Sequence, residues 1–456
     1  HCGPTPINRT PNMPRHAPLT AAILIALPLL AHADERTDRH AHDDARVLDA
    51  VEVTASPLRN AIDDLTRPVD VLVGEELDAR KAGNLGETLE RQTGVQSSFF
   101  GAGVGRPIIR GQDGARVQVL SSGTGSLDVS TVSVDHAVSI EPFLADQIEV
   151  LKGPATLLFG SGAIGGAVNV VDGRIARELP DRPLSGRAEL RGNSVNDERS
   201  GMFRLDGVSG NWVLHVDGLV RNGDDYRIPG YAVIDSLEDH HDDHDHDHAG
   251  EEGEEPRRGR LDNSSIRTRA GGVGATWLGD GGYFGVSAST YRTNYGIPNG
   301  AHVHADDDHD HDHGDEEEEG DEHDVRIDMV QNRFEAKGGI YNPVSFLKNI
   351  NLRTAYTDYE HVELEAGTPS TRFTNRGVEA RLEAVQQQIG GWDGAFGLQF
   401  GNSDFGAKGE EAFVPDTGTR NVGLFVLQEK QFGPFKLELG GRHDQVKLDP
   451  TGDYRA

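Results

Sequence analysis

From Pro183 onward the chain reads as a succession of short segments that alternate weakly between apolar and polar residues, and this texture constrains the fold most. Strands are expected near 186–192, 201–208, 211–221, 266–277, 283–293, 327–340, 346–360, 373–387, 392–403, 421–430 and 435–446. GVSASTYRTN and FKLELGGRHDQVKL show the period-two pattern that puts apolar side chains on one face. Short connections at 209–210, 279–282, 341–345 and 389–391 take turns with longer ones. Weak alternation with unequal connections is the mark of a transmembrane β-barrel; long strands of this kind suit a soluble β-sandwich less well. No segment offers the ~20 consecutive apolar residues a spanning helix needs, so a membrane location requires a barrel. If the chain enters the barrel from the periplasm, every long loop falls outside by parity. Eleven is an odd number, whereas bacterial single-chain barrels have even counts, so further strands are expected beyond Ala456.

A chain of 456 residues is long enough for at least two folding units. It begins with His1, and the expected biological start is Met13. The basic stretch with Arg15 and His16, the apolar run Leu19–Leu30 and the small triplet Ala31-His32-Ala33 have the layout of a secretory signal peptide, giving residues 1–33 that role. The single cysteine, Cys2, lies upstream of that start, which excludes disulfides, cysteine-based metal sites and a cysteine nucleophile from the mature protein. A net charge of −31 argues against nucleic acid as a partner.

Residues 34–67 read as a flexible segment containing one β-like stretch, DAVEVTA. From 68 to 180 the texture is that of a small α+β domain, with a strand-like PVDVLV, a helix-like NLGETLERQTGV and glycine-punctuated apolar stretches. Gly160, Gly162 and Gly165 spell G-x-G-x-x-G, but the strand-like AVNVV follows where a dinucleotide site needs a helix. These glycines are expected to serve tight turns at positive φ.

DAVEVTA, RPIIRGQDGARVQVL and IEVLKGPATLLFGSGAIGGAVNVV fall in the order seen in TonB-dependent receptors, and residues 49–173 resemble the N-terminal region of that family. The resemblance implies an α+β plug domain followed by a transmembrane antiparallel β-barrel, 22-stranded in the family, here residues 181–456 with external loops at 223–265 and 295–325. It implies an outer-membrane protein of a Gram-negative bacterium, surrounded by outer-membrane lipid, with no enzymatic activity. DAVEVTA resembles a TonB box (49–55), which in the family pairs with TonB by strand addition; Asp49, Ala50, Val51, Glu52 and Val53 would carry that contact.

Two segments bear directly on ligand chemistry. EDHHDDHDHDHAGEEGEE holds His240, His241, His244, His246 and His248, and HVHADDDHDHDHGDEEEEGDEHD holds His302, His304, His309, His311, His313 and His323. Imidazole interleaved with carboxylate suits borderline divalent ions, Zn²⁺ first with Ni²⁺ and Cu²⁺ as competitors, and calls for no organic cofactor. Acid-only runs would read as solvated loops; these offer many overlapping ligand sets suited to capture and exchange. STVSVDHAVSIEPF resembles the plug apex of the zinc-importing ZnuD-type branch, which implies that Asp135 and His136 ligate metal; Val134 stands where that branch often has proline. TDYEHVELEAG and YGIPNGAHVH are also similar to that branch, and the former implies a ligand among His361, Glu363 and Glu365. A one-residue slip would exchange the faces of that strand, so sequence leaves the choice open. Import of haem or an iron–siderophore complex is the rival within the family, and passive metal sequestration at the surface the rival outside it. Haem asks for a single axial His or Tyr and siderophores for basic or aromatic loops, and a passive buffer has no use for a TonB box.

Overall fold

A computed structural model describes residues 52–58, 68–232, 258–298 and 324–452. The signal-peptide-like start, Asp49–Val51 and both histidine-rich segments lie outside the described residues.

The first domain is built on a mixed sheet of β1 (Val69–Val73), β4 (Val117–Ser121), β5 (Thr124–Gly125), β6 (Gln147–Leu151) and β7 (Gly166–Val171), in the order β1-β6-β7-β4-β5. Only β4 and β7 run parallel. A small ribbon of β2 (Val95–Ser97) and β3 (Pro107–Ile109) lies beside it. The sequence predicts a helix in NLGETLERQTGV, and a short one forms at α2 (Leu85–Leu89), capped by Asn84 accepting from the Glu87 amide at 2.9 Å. Helix α1 (Gly74–Arg80), with two glutamates in its first turn and Arg80 in its last, carries only the single core residue Leu77, too weak a period to be read from sequence. The core gathers Leu72, Leu85, Leu89, Ile109, Ile148 and Val168, each nearly inaccessible to solvent. In the G-x-G-x-x-G run only Gly160 takes positive φ (95°); Gly165 is needed for space, since a Cβ there would lie 2.4 Å from Gln112 Cβ. Strand β7 follows, so no helix N-terminus is available for a dinucleotide phosphate.

The second part is one antiparallel meander of eleven strands: β8 (Leu184–Asn193), β9 (Glu198–Ser209), β10 (Trp212–Gly223), β13 (Ile266–Gly279), β14 (Gly282–Gly296), β15 (Val325–Val344), β16 (Leu347–Glu365), β17 (Thr368–Gln386), β18 (Trp392–Lys408), β19 (Thr417–Phe432) and β20 (Phe435–Pro450). A two-residue ribbon, β11 (Tyr226–Arg227) with β12 (Arg260–Leu261), stands at the root of the long β10–β13 connection. All eleven strands expected from the sequence form, and the later ones extend past the predicted ends. Alternation sorts the sheet. Phe334, Leu352, Leu382, Phe396 and Leu424 are exposed on one face, while Arg333, Arg353, Thr357 and Arg381 are buried on the other. An apolar outside and a polar inside is the inverse of a soluble protein and the arrangement a lipid-facing wall demands.

The plug domain satisfies that polar inner face. Arg333 donates to the Gly125 carbonyl at 2.9 Å, Gln331 to the Ser126 carbonyl at 3.0 Å, and Glu379 accepts from the Gly125 amide at 2.9 Å. Arg221 on β10 grips Glu141 of the plug through two hydrogen bonds of 2.9 and 3.0 Å, with its guanidinium 4.8 Å from the Phe143 ring. Both partners of that pair are almost fully buried; Arg221 also meets Glu198 at 3.4 Å and the Gly83 carbonyl at 3.0 Å, so it is removal of the arginine that strands its partner Glu141. Arg221→Met should therefore lower stability in urea unfolding of the lipid-reconstituted protein by about 3–5 kcal/mol, and adding Glu141→Leu should recover most of it. A loss below ~1 kcal/mol in the single variant would show that the pair does not hold plug to wall.

Candidate metal centre

The plug loop between β5 and β6 has little regular structure, and its shape is set by one carboxylate. Asp128 accepts from the Ser130 amide (3.1 Å) and hydroxyl (2.6 Å) and from the Ser139 amide (3.1 Å) and hydroxyl (3.2 Å), drawing the two ends of the loop together. Asp135 and His136 lie on the segment so enclosed. Arg106 steadies the middle of the loop by donating to the Ser133 carbonyl at 3.0 Å. From the wall, the Tyr295 hydroxyl donates to the Asp135 carbonyl (3.2 Å) and accepts from the Ala137 amide (2.9 Å), fixing the peptide on both sides of His136.

The register of β16 settles which of its candidates face inward. His361 lies opposite Met329 of β15 and Phe373 of β17, and Glu363 opposite Ile327. Tyr359, His361 and Glu363 share the inner face and are buried. Glu365 has the same parity, but at the strand end its carboxylate accepts from the Ser370 hydroxyl of the neighbouring strand and stays outside the cluster.

Plug and wall thus bring His136, His361 and Glu363 together, with one donor atom from each within 4.8 Å of the others. His136 Nε2 lies 3.1 Å from Glu363 Oε1, His361 Nε2 lies 3.6 Å from the same oxygen, and Asp135 Oδ1 lies 4.0 Å from His136 Nε2. The two imidazole rings meet edge to face with centroids 4.5 Å apart, and Phe373 packs at 5.0 Å from one and 4.8 Å from the other. With Tyr295 and Tyr359 these rings form an apolar shell that excludes water from the cluster.

The hydrogen bonds behind the rings orient them. His136 Nδ1 is 3.1 Å from the Val129 carbonyl, which can only accept, so Nδ1 carries the hydrogen. Its Nε2 then turns toward a carboxylate oxygen, a contact that is favourable only with a proton or a cation between them. His361 Nδ1 is engaged by the Tyr359 hydroxyl at 2.8 Å, again leaving Nε2 toward Glu363. Both His361 Nε2 and Glu363 Oε2 are buried with no hydrogen-bond partner among the described residues. Burial works to lower the pKa of His136, but the hydrogen bond to Glu363 and the charge of Asp135 outweigh it and hold the pKa above the ordinary histidine value. Two nitrogens and a carboxylate thus converge on one point. Donor atoms around tetrahedral zinc are about 3.3 Å apart, given bonds of ~2.0–2.1 Å. The 3.1 and 3.6 Å separations bracket that value, and Asp135 at 4.0 Å needs only a small shift to join.

Sequence reasoning named the four residues of this site but missed the supports. Asp128, Val129, Tyr295 and Tyr359 carry no pattern by which sequence alone could assign them, because their roles exist only once plug and wall are apposed. Near the chain's start, Val53 and Ala55 are buried against the plug, and the Thr54 and Ala55 amides donate to Glu149 at 2.6 and 2.9 Å.

Residues 61–167 match the family described as TonB-dependent Receptor Plug Domain. Over 324 residues the chain is 25% identical to the vitamin B12 transporter BtuB of Photobacterium profundum, an alignment covering 70% of this chain and 48% of that one. Among solved structures it is similar to the copper transporter OprC, with a TM-score of 0.63 at 16% identity over 84% of this chain and 55% of that one. It is also similar to the FrpB iron transporter from Neisseria meningitidis, with a TM-score of 0.60 at 13% identity over 83% of this chain and 59% of that one. The chain spans about half the length of the curated transporter it matches. Residues 61–167 thus carry a TonB-dependent receptor plug domain, seated against an eleven-stranded meander whose fold and apolar exterior are those of an outer-membrane β-barrel.

Proposed function

We propose that the chain serves as a TonB-driven importer of a divalent metal ion, with zinc the best-fitting cargo. The observation that carries this reading is the buried convergence of His136, His361 and Glu363, with Asp135 beside them, on a point where two polar atoms have no partner. Two imidazoles and one or two carboxylates match the preference of zinc for mixed nitrogen and oxygen ligands; nickel and copper favour similar donors and are separated by competition. Rings 4.5 Å apart leave no space for a porphyrin between them, which favours a bare ion over haem.

The work divides along the chain. The histidine-rich segments 238–255 and 302–324 gather metal at the surface, and the buried site takes it from them. TonB pairs with Asp49–Val53 and pulls. The Thr54 and Ala55 amides that follow are held by Glu149, and Asn169 bridges Glu149 (3.0 Å) to the Gly123 amide (2.8 Å) in the β4–β5 turn, ahead of β5 and the loop that carries Asp135 and His136. Tension on the segment strips hydrogen bonds from a buried carboxylate and reaches that loop through one side chain. His136 then moves away from Glu363 and the site opens.

Zinc titration of the full-length protein lacking both histidine-rich segments tests the site. His136→Ala should abolish one tight site, and adding Glu363→Gln should cost little more, because residues that share one ion couple strongly. An unchanged tight site in His136→Ala would overturn the assignment. Acid should act on the same site: the raised pKa of His136 means a proton must leave before metal binds, so affinity should fall as pH drops from about 7.5 to 5.5. Equal affinity at both ends would point to carboxylate ligands alone. Proline at Val51 should abolish uptake and leave zinc binding intact, since it removes a backbone donor without disturbing the buried Val53. Normal uptake in that variant would exclude TonB-driven transport through this segment.

A further inference from the structure

Four side chains converge at the buried centre: His136, His361, Glu363 and, 4.0 Å from His136 Nε2, Asp135. Polar side chains beside them are already engaged. The Tyr295 hydroxyl lies between the Asp135 carbonyl and the Ala137 amide, at 3.2 and 2.9 Å. That of Tyr359 meets His361 Nδ1 at 2.8 Å. Both oxygens of Asp128 accept from Ser130 and Ser139. An ion that calls for more than four donors would have to bring in water.

The register of the wall works against water. His361 lies opposite Met329 on β15 and Phe373 on β17, and Glu363 opposite Ile327 on β15. Each of these three apolar partners is at most 1% exposed. On the β17 side the pairing slips between Val362 and Leu364, and a bulge of this kind re-aims the side chain within it, here Glu363. Phe373 is where the plug and wall ligands meet a single apolar group. Its ring stands edge-on to the His136 imidazole, with centroids 5.0 Å apart and planes at 66°. It tilts against His361 at 4.8 Å and 36°, and Phe405 backs it at 6.4 Å. A void in its place would not stay dry. Water entering it would find Glu363 Oε2, buried without a hydrogen-bond partner, and the ion itself.

We infer that Phe373 sets the ion preference of the centre, zinc over nickel, by denying the bound ion water; the inference rests on the metal-import reading above. Zinc has a filled d shell and accepts four donors in whatever geometry they offer. Nickel favours flat or tetragonal arrays, which water completes where the protein supplies only four donors. The two ions share a taste for imidazole and carboxylate, so donor chemistry separates them poorly and a dry pocket separates them by geometry. An apolar shell acts in this way by controlling solvent access to the metal.

Cobalt reports its coordination through visible d–d absorption, which is strong in a four-coordinate site and weak in a six-coordinate one. The purified full-length protein is loaded with one equivalent of Co²⁺, and full-length His136→Ala treated in the same way is the blank that subtracts metal held elsewhere on the chain. The difference spectrum should be strong for the unaltered protein and for Phe373→Leu, which keeps the space filled and apolar. In Phe373→Ala it should weaken severalfold with the cobalt stoichiometry unchanged. Competition between Zn²⁺ and Ni²⁺ in the same proteins should show a preference for zinc about tenfold smaller in Phe373→Ala, the lower end of the roughly 10–100-fold effects of changes behind metal ligands. Phe373→Leu should keep the preference. Heat-modifiable gel migration shows which variants are folded, and Phe373→Val, which should shift both readings in the same direction, replaces an alanine variant that is not. A strong spectrum with an unchanged preference in the alanine or valine variant would overturn the inference and leave the centre standing. So would a weak, six-coordinate spectrum in the unaltered protein, by showing that water already enters. An unaltered protein indistinguishable from the His136→Ala blank would overturn the metal centre, and the inference with it.

Discussion

A strand that faces lipid has no water to complete its hydrogen bonds, so every backbone polar group must be paired within the wall. The antiparallel meander meets that demand, and the rest of the molecule follows from it. Once the backbone is paired, period-two alternation sends apolar side chains outward and leaves Arg221, Arg333, Arg353 and Arg381 on the inside. These arginines need partners, and the plug supplies them with Glu141 and the carbonyls of Gly125 and Leu158. The plug is held by these buried, charge-assisted hydrogen bonds together with apolar clusters that span plug and wall, such as Phe143 and Leu144 against Met202 and Leu219. The hydrogen bonds are directional, and they fix the loop carrying His136 against the strand carrying His361 and Glu363 to within a hydrogen bond's length.

The same reasoning explains why the proposed metal site spans two parts of the chain. Neither part holds a complete ligand set. The plug offers one imidazole and one carboxylate, the wall offers one of each, and the two pairs are separated by more than two hundred residues. A site divided in this way is opened by any motion of the plug relative to the wall. Asn169 is bonded both to Glu149, which holds the segment 52–55, and to the amide of Gly123, and in the proposed mechanism it links the two.

Much of this was legible in the sequence. The eleven strands were readable because alternation and turn residues are local signals, and the candidate ligands were singled out because an Asp-His pair and a carboxylate-rich strand end resemble a known branch. The choice among His361, Glu363 and Glu365 was not, since register depends on pairing with β15 and β17. Helix α1 escaped because seven residues with one buried leucine carry almost no period. Asp128, Tyr295 and Tyr359 were invisible for a different reason. Each is an ordinary polar or aromatic residue until tertiary contact gives it a partner: Asp128 closes a loop, Tyr295 holds a peptide, and Tyr359 orients a ring.

The central claim is that one metal ion is shared by imidazoles from plug and wall. Zinc K-edge X-ray absorption on the full-length protein without its histidine-rich segments addresses it directly. The account predicts a four-coordinate nitrogen and oxygen shell at about 2.0 Å, with outer-shell scattering from two imidazoles that falls to one in His361→Ala. A six-coordinate oxygen shell, or imidazole scattering untouched by that substitution, would contradict it.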